Sequence, residues 1–190
     1  GVPETALSDE LVARLPENLA PAPWDARCSG LVWTGRGGAA VRAALPPALR
    51  GSRALASVGG FVRYSYTPVG TYDEVFGMVA SADGTRSWGN VAFMAVDSET
   101  SLVGGRANWS MPKTLATFDG SIGRGETMSA WSEGPVRWRV EATPVRVGPR
   151  LKVRSKQPSR QEFPDGVVRD SAMVASAVIR PALVRVEVVS

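Results

Sequence analysis

The 190-residue sequence contains no histidine and one cysteine, Cys28. Without imidazole, nucleophiles of the Ser-His-Asp or Cys-His kind are excluded, and the common zinc and non-haem iron sites lose their usual ligand. A single cysteine also rules out an internal disulfide and a zinc site with several thiolates, so we expect Cys28 to be a small buried hydrophobic residue. Any chemistry should therefore rely on a carboxylate and an amine, without a metal or another cofactor.

Long apolar runs are absent as well. No stretch approaches the ~20 apolar residues that span a bilayer, and the first residues lack the charged and apolar regions of a signal peptide. We therefore expect a cytoplasmic protein that does not bind membranes. The net charge of +4 would suit a nucleic-acid partner, but the arginines are spread along the chain and alternate with apolar residues, as in 136–140. That alternation is typical of the polar face of a strand, so we expect no nucleic-acid binding.

Lysine is also scarce. Of the 22 lysine and arginine residues only three are lysines, Lys113, Lys152 and Lys156. Lys113 follows Pro112 in a glycine- and proline-containing segment with apolar neighbours. Arginine keeps its proton near neutral pH, whereas a desolvated lysine can lose it, and only the neutral amine is a nucleophile. The segment therefore indicates a functional amine, with an exposed lysine on a turn as the alternative.

The chain is long enough for one domain with a proper core, and its patterns predict a mainly β fold. Residues 1–23 are predicted to form a short helix capped by Ser8 and an extended arm, and residues 24–190 a single domain. Many short strands with few helices imply a mostly antiparallel β domain that is closed or nearly closed. Three segments are less regular: 97–100 is a polar turn or a helix start, 157–166 is a loop, and 171–179 is a helix or a strand.

Several segments resemble the acetoacetate decarboxylase family. Gly105-Arg106 followed by Pro112-Lys113 resembles the signature of that family. Gly70-Thr71-Tyr72-Asp73-Glu74 is similar to its Tyr-x-Glu segment. Residues 41–49 resemble its short helix ending in proline and leucine, and residues 180–186 resemble its closing strand.

This resemblance covers most of the chain, from about Trp24 to Val189. It implies an antiparallel β-cone or closed barrel around a pocket, in a homo-oligomer. It also implies that Lys113 forms a Schiff base with a keto acid, that Glu74 moves protons, and that Arg27 holds the substrate carboxylate. A guanidinium group can bind a carboxylate through two hydrogen bonds.

Two further residues near the signature have roles that the sequence leaves open. Tyr72 either donates to a substrate oxygen or is a core tyrosine. Arg106 either orients the central segment or pairs with Glu74. Together with Trp109 and Met111, both belong to the predicted substrate-binding set.

The chemistry of an imine requires a neutral amine. A lysine with an ordinary pKa of about 10.4 is neutral only about one part in a few thousand at pH 7. Lowering that pKa by ~4 units requires ~5.4 kcal/mol of destabilisation of the cation, and burial alone can supply ~3–5 units. We therefore expect Trp109, Met111 and Phe93 to line the pocket and to keep the amine dry.

Two positions depart from the family pattern. Thr114 stands where the family usually has a second lysine, and Ala107 stands where it commonly has glutamate. We predict decarboxylation of a β-keto acid resembling acetoacetate, with a small-molecule keto acid as the partner. One alternative is an imine-based aldolase, retro-aldolase or dehydratase, which the missing lysine favours. The other is a pocket protein or cyclase that binds an apolar polyketide-like ligand without covalent chemistry.

Overall fold

The structure, a computed structural model, describes residues 1–132 and 136–189. Of the described residues, 54% lie in strands and 15% in helices, so the mainly β fold class predicted from the sequence is confirmed. Within the described ranges, none of the helices has the length and apolar character needed to cross a membrane.

Helices are few and strands are many along the described chain. The helices are α1 (Asp9–Arg14), α2 (Ala39–Ala43) and α3 (Glu99–Trp109), with 3₁₀ turns at Pro3–Thr5 and Pro47–Leu49. The strands are β1 (Arg27–Arg36), β2 (Arg53–Tyr66), β3 (Tyr72–Asp83), β4 (Arg86–Val96), β5 (Lys113–Leu115), β6 (Thr117–Gly120), β7 (Met128–Ser132), β8 (Trp138–Val147), β9 (Leu151–Glu162), β10 (Val168–Ile179) and β11 (Ala182–Val189).

The strands of the described residues form two sheets. The larger sheet has the order β1-β2-β3-β4-β9-β10, with β5 alongside β4, and it curls into a half-barrel. The smaller sheet has the order β11-β8-β7-β6. Neighbouring strands are antiparallel, as predicted, except that β4 runs parallel to β5 and β9. Gly84, with φ of 58°, turns the chain between β3 and β4 in an Asp-Gly sequence, a dipeptide typical of tight hairpin turns.

The apolar faces of the two sheets pack on each other. Phe61 of β2 is fully buried in one cluster with Met128 and Trp138 of the smaller sheet. In β8 the predicted alternation is observed, since Trp138 and Val140 are buried while Arg139 between them is exposed. This shared core holds the larger sheet against the smaller one.

The N-terminal arm lies on α3. Ser8 caps α1 by accepting a hydrogen bond from the Leu11 amide, as its position predicted. Further along the arm, the Trp24 ring packs edge-on against Trp109, with 5.1 Å between centroids. A Cβ atom at Gly104 would lie 2.4 Å from the Trp24 ring, so the ring rests directly on the helix backbone.

The structure corrects two sequence predictions and decides two that were open. Cys28 is exposed rather than buried, because β1 is at the edge of the larger sheet. Residues 157–162 continue β9 instead of forming a loop, and only residues 163–167 form the turn to β10. Residues 171–179 belong to β10, and residues 97–100 lead into α3.

Candidate active site

Lys113 begins β5, a three-residue strand that runs parallel to β4. Only 3% of its surface is exposed. Its amine donates to Glu74 Oε2 at 2.9 Å and to Ser101 Oγ at 2.8 Å. Lys113 is therefore not an exposed lysine on a turn. It forms a buried ion pair with the glutamate that the family resemblance placed in the same site.

Strand β3 brings Glu74 to the lysine. Tyr72 and Glu74 are two residues apart in β3, so their side chains project from the same face. Tyr64 of β2 is opposite Tyr72, and the ring centroids are 4.5 Å apart. The Tyr64 hydroxyl donates to Glu74 Oε1 at 3.3 Å. Each carboxylate oxygen of Glu74 therefore has a donor, and the residue is only 4% exposed.

Helix α3 supplies another wall of the site. Ser98 caps the helix, and Ser101 lies in its first turn. The stem of Lys113 passes over Gly105, since a Cβ atom there would lie 2.6 Å from both Cδ and Cε of the lysine. The helix ends at Trp109, and the left-handed backbone of Ser110, with φ of 53°, lets the chain turn toward β5.

Arg106 holds the segment between α3 and β5. Its Nε donates to the Lys113 carbonyl at 2.7 Å, and its Nη2 donates to the Thr5 carbonyl at 2.7 Å. Burial lowers the pKa of Arg106 from its ordinary value, although a guanidinium keeps its charge at neutral pH. These contacts correspond to the first of its two predicted roles, orientation of the central segment, because Glu74 pairs with Lys113 instead.

Burial and the negative charge of Glu74 raise the pKa values of Tyr64 and Tyr72 above their ordinary range. Both phenols therefore keep their protons well above neutral pH. The Lys113 amine lies 5.0 Å from the centroid of the Tyr72 ring, a distance at which the ring attracts a cation. A hydrogen bond of 2.9 Å joins the amine to the carboxylate of Glu74, so the two groups can exchange a proton directly.

Arg27 lies at the start of β1 and is exposed. Its guanidinium is 6.0 Å from the centroid of the Tyr66 ring. The next residue, Cys28, is opposite Tyr64 in the sheet. Although the residue is exposed, protein atoms displace part of the water around its thiol, and this desolvation, followed by the charge of Glu74, raises the pKa of the thiol. In strand β1, Cys28 is therefore the residue paired with the tyrosine that contacts Glu74, and the Arg27 guanidinium lies against Tyr66.

The apolar residues that we expected around the amine have their contacts elsewhere. Trp109 packs on the N-terminal arm, and Phe93 belongs to the core between the two sheets. Met111 lines a cavity of about 180 Å³ together with Arg106, and Lys113 is not among the residues that line this cavity. The surroundings of the amine are therefore more polar than the sequence predicted.

Ser101 and the hydroxyl of Tyr64 were not identified by sequence reasoning. Ser98, a helix-capping residue type, was the available signal for Ser101, because a helix beginning there places Ser101 in its first turn. The contact of Tyr64 depends on the register between β2 and β3, which has no local signal in the sequence. Among the residues that the structure describes, no group of three or more His, Cys, Asp or Glu side chains could hold a metal ion.

Similar folds occur among solved structures. An acetoacetate decarboxylase matches with a TM-score of 0.63 and 12% identity, over 97% of this chain and 85% of that one. Acetoacetate decarboxylase from Legionella pneumophila matches with a TM-score of 0.59 and 15% identity, over 92% and 76% of the two chains. The enduracididine biosynthesis enzyme MppR, complexed with the condensation product of pyruvate and imidazole 4-carboxaldehyde, matches with a TM-score of 0.60 and 15% identity, over 90% and 78%.

At these identities the structural likeness shows the fold, and membership of a family requires a sequence match. A comparison with curated proteins gives no significant match. The family model described as acetoacetate decarboxylase (ADC) matches residues 13–163. Because this match spans most of the sequence and includes Glu74 and Lys113, the chain belongs to the acetoacetate decarboxylase family.

Proposed function

We propose that this protein is a lysine Schiff-base enzyme that decarboxylates a small β-keto acid resembling acetoacetate. The observation that carries the proposal is the buried pair of Lys113 and Glu74, with 2.9 Å between Nζ and Oε2. A lysine and a carboxylate in a desolvated site supply the nucleophile and the proton carrier that imine chemistry requires. Membership of the acetoacetate decarboxylase family supports the same reaction class.

The first step creates the nucleophile. The Lys113 ammonium transfers a proton to Glu74 Oε2 along their hydrogen bond, which converts the ion pair into a neutral amine and a carboxylic acid. The amine attacks the ketone carbonyl, one proton passes from the nitrogen to the oxygen, and Glu74 gives that oxygen a second proton as water leaves. A protonated imine remains on Lys113. Tyr64 keeps its hydrogen bond to Glu74 Oε1 and fixes the orientation of the carboxyl group.

The second step breaks the carbon–carbon bond. Electrons of the bond to the substrate carboxylate move to the protonated imine, which gives an enamine and carbon dioxide. Glu74, reprotonated from solvent, delivers a proton to the enamine carbon. Hydrolysis of the resulting imine releases the ketone and restores the amine. The complete reaction consumes one proton and requires no further co-reactant.

Arg27 is proposed to bind the carboxylate of the incoming keto acid. Its guanidinium is exposed at the start of β1, and Cys28 beside it is opposite Tyr64, the donor to Glu74. An exposed guanidinium at this edge can attract a carboxylate and hold it through two hydrogen bonds. The substrate ketone would then lie on the Tyr64 side of the ion pair.

A second candidate function uses the same imine to form or break a bond to an aldehyde. The residue after the lysine is Thr114 rather than a second lysine, which distinguishes this chain from the pattern of decarboxylases. The fold is also similar to that of MppR in complex with a condensation product of pyruvate and an aldehyde. In this reaction the enamine carbon attacks an aldehyde instead of accepting a proton from Glu74.

Borohydride trapping tests both candidates. The protein is incubated with acetoacetate or pyruvate, reduced, and analysed by intact mass and peptide mapping, with Lys152→Gln as the control for an exposed lysine. We expect a single adduct on Lys113, which Lys113→Gln abolishes and Lys152→Gln retains. Release of carbon dioxide then distinguishes decarboxylation from aldol chemistry. If neither acid gives an adduct and Lys113→Ala keeps full activity, both imine reactions are excluded. A non-covalent pocket protein or cyclase would then remain.

A further inference from the structure

Two residues of α3 contact Lys113 along the length of its side chain. Ser101 is fully buried, and its Oγ accepts a hydrogen bond from the amine at 2.8 Å. Gly105 lies under the aliphatic stem, where a Cβ atom would be 2.6 Å from Cδ and Cε. The two residues are four positions apart in the helix, so they share one face.

The lack of a side chain, rather than an unusual backbone conformation, explains why position 105 is a glycine. Glycine is less favourable than alanine in a helix interior, yet α3 contains Gly104 and Gly105 in succession. Neither has a positive φ, so an alanine would fit the backbone at both positions. The Trp24 ring fills the space beside Gly104, and the Lys113 stem fills the space beside Gly105. The unfavourable residue at 105 is therefore explained by the lysine.

We propose that Ser101 and Gly105 are positioning residues that hold the Lys113 amine against Glu74. The proposal rests on the proposed function, because positioning affects catalysis only if this amine is the nucleophile. Lysine has a flexible four-carbon stem, and each contact along the stem restricts rotation about its carbon–carbon bonds. A methyl group at 105 would displace the stem, and Nζ at the end of that stem is held by hydrogen bonds to Glu74 and Ser101.

The hydroxyl of Ser101 positions the amine by fixing its rotation, whereas Gly105 leaves room for the stem. One N–H of the amine points to Glu74 Oε2 and another to Ser101 Oγ, so the rotation of the amine about its Cε bond is fixed. Without Ser101 Oγ, the amine keeps its contact with Glu74 but can rotate about that bond. We therefore expect a smaller effect from loss of the hydroxyl than from displacement of the stem.

Because the chain has only three lysines, the position of this side chain can be observed directly by NMR. The protein is labelled at lysine ¹³Cε, and Lys113→Gln assigns the signal of the buried lysine. The test variants are Gly105→Ala and Ser101→Ala. Gly51→Ala is the matched control, since a Cβ atom at Gly51 would meet nothing within 4 Å.

The buried lysine should give a ¹³Cε signal separate from those of the exposed Lys152 and Lys156. In Gly105→Ala this signal should move toward the exposed pair, and borohydride trapping should slow at least about tenfold, since a misplacement of 1 Å can cost about 10²-fold. Ser101→Ala should slow trapping by a few fold. Gly51→Ala should change neither measurement.

The NMR signal and the trapping rate test the positioning role and the proposed function separately. An unchanged Lys113 signal and wild-type trapping in Gly105→Ala and Ser101→Ala would overturn the positioning role and leave the Schiff-base proposal intact. If wild-type protein gives no adduct, the Schiff-base proposal fails, and the NMR signals still decide whether α3 positions the lysine. If Gly105→Ala does not fold, Ser101→Ala decides, because it removes one oxygen and adds no atom.

Discussion

The amine of Lys113 and the carboxylate of Glu74 form a buried ion pair, with 2.9 Å between Nζ and Oε2 and only 3% and 5% of the two side chains exposed. Removing both partners of such a pair can be nearly neutral, whereas removing one leaves the other charge buried without compensation. The contact that supports proton transfer in the proposed reaction therefore also makes the stability of the protein sensitive to either residue.

The first prediction concerns stability. Glu74→Gln should lower the free energy of unfolding by about 3–5 kcal/mol, because the Lys113 charge is left buried. The double variant Lys113→Met with Glu74→Gln should be less destabilised than Glu74→Gln alone. Urea unfolding measures both. Asp170→Asn is the control, since Asp170 is 70% exposed in its pair with Arg160 and should change stability by at most about 1 kcal/mol. Equal losses in the single and double variants would contradict a mutually dependent pair.

The second prediction concerns catalysis. Lys113→Arg keeps a positive charge but cannot form an imine, so adduct formation and carbon dioxide release should both disappear. Glu74→Gln should lower kcat by about 10²–10⁴-fold, the usual contribution of a positioned acid or base. Steady-state assays with acetoacetate measure the effect, and Lys156→Arg is the control because Lys156 is exposed on β9. Appreciable activity in Lys113→Arg would exclude the imine.

The third prediction concerns alkaline stability. Burial raises the pKa values of Tyr64 and Tyr72, so above pH 10 the folded protein keeps protons that the unfolded chain has lost. The stabilising contribution is therefore complete below about pH 10 and is lost as the pH rises further. Urea midpoints measured between pH 8 and 11 should fall for the wild type and fall less for Tyr64→Phe. Tyr66→Phe, at an exposed position, should follow the wild type. A parallel decline in all three proteins would contradict a contribution of Tyr64 to the loss of stability at high pH.

The fourth prediction concerns recognition of the substrate. If Arg27 binds the carboxylate of the keto acid, Arg27→Ala should raise KM by about 10–100-fold, as expected for the loss of a charged hydrogen bond worth about 1.5–3 kcal/mol. Arg27→Lys should recover part of this loss. Arg36, exposed at the other end of β1, provides the control Arg36→Ala. An unchanged KM together with a lower kcat would place Arg27 in a different role.

The scarcity of histidine, cysteine and lysine leaves few residue types able to carry the chemistry, and Lys113 is predictable as the nucleophile from the sequence for that reason. The alternation of β8 was also readable, because that strand has one face in the core and one in solvent. The β9–β10 hairpin was harder to predict. Most of its residues are exposed, so its sequence has little of the alternation that burial of one face imposes.

The length of α3 could not be predicted from its composition, because two interior glycines argue against a helix. Only the folded chain shows that Trp24 and Lys113 occupy the space that side chains at Gly104 and Gly105 would take. Tertiary packing overrides the local preference at these positions. The role of Ser101 depends on that helix and could not be inferred without it.

The sequence by itself determined the mainly β character, the family, and which amine and carboxylate are available for chemistry. The tertiary structure decided that Lys113 and Glu74, 39 positions apart in sequence, meet in a desolvated contact. It also decided that Arg27 lies at the exposed edge of the sheet rather than against this pair. The physical reason is that strand register and helix packing set distances between residues far apart in the chain, and local patterns do not contain that information.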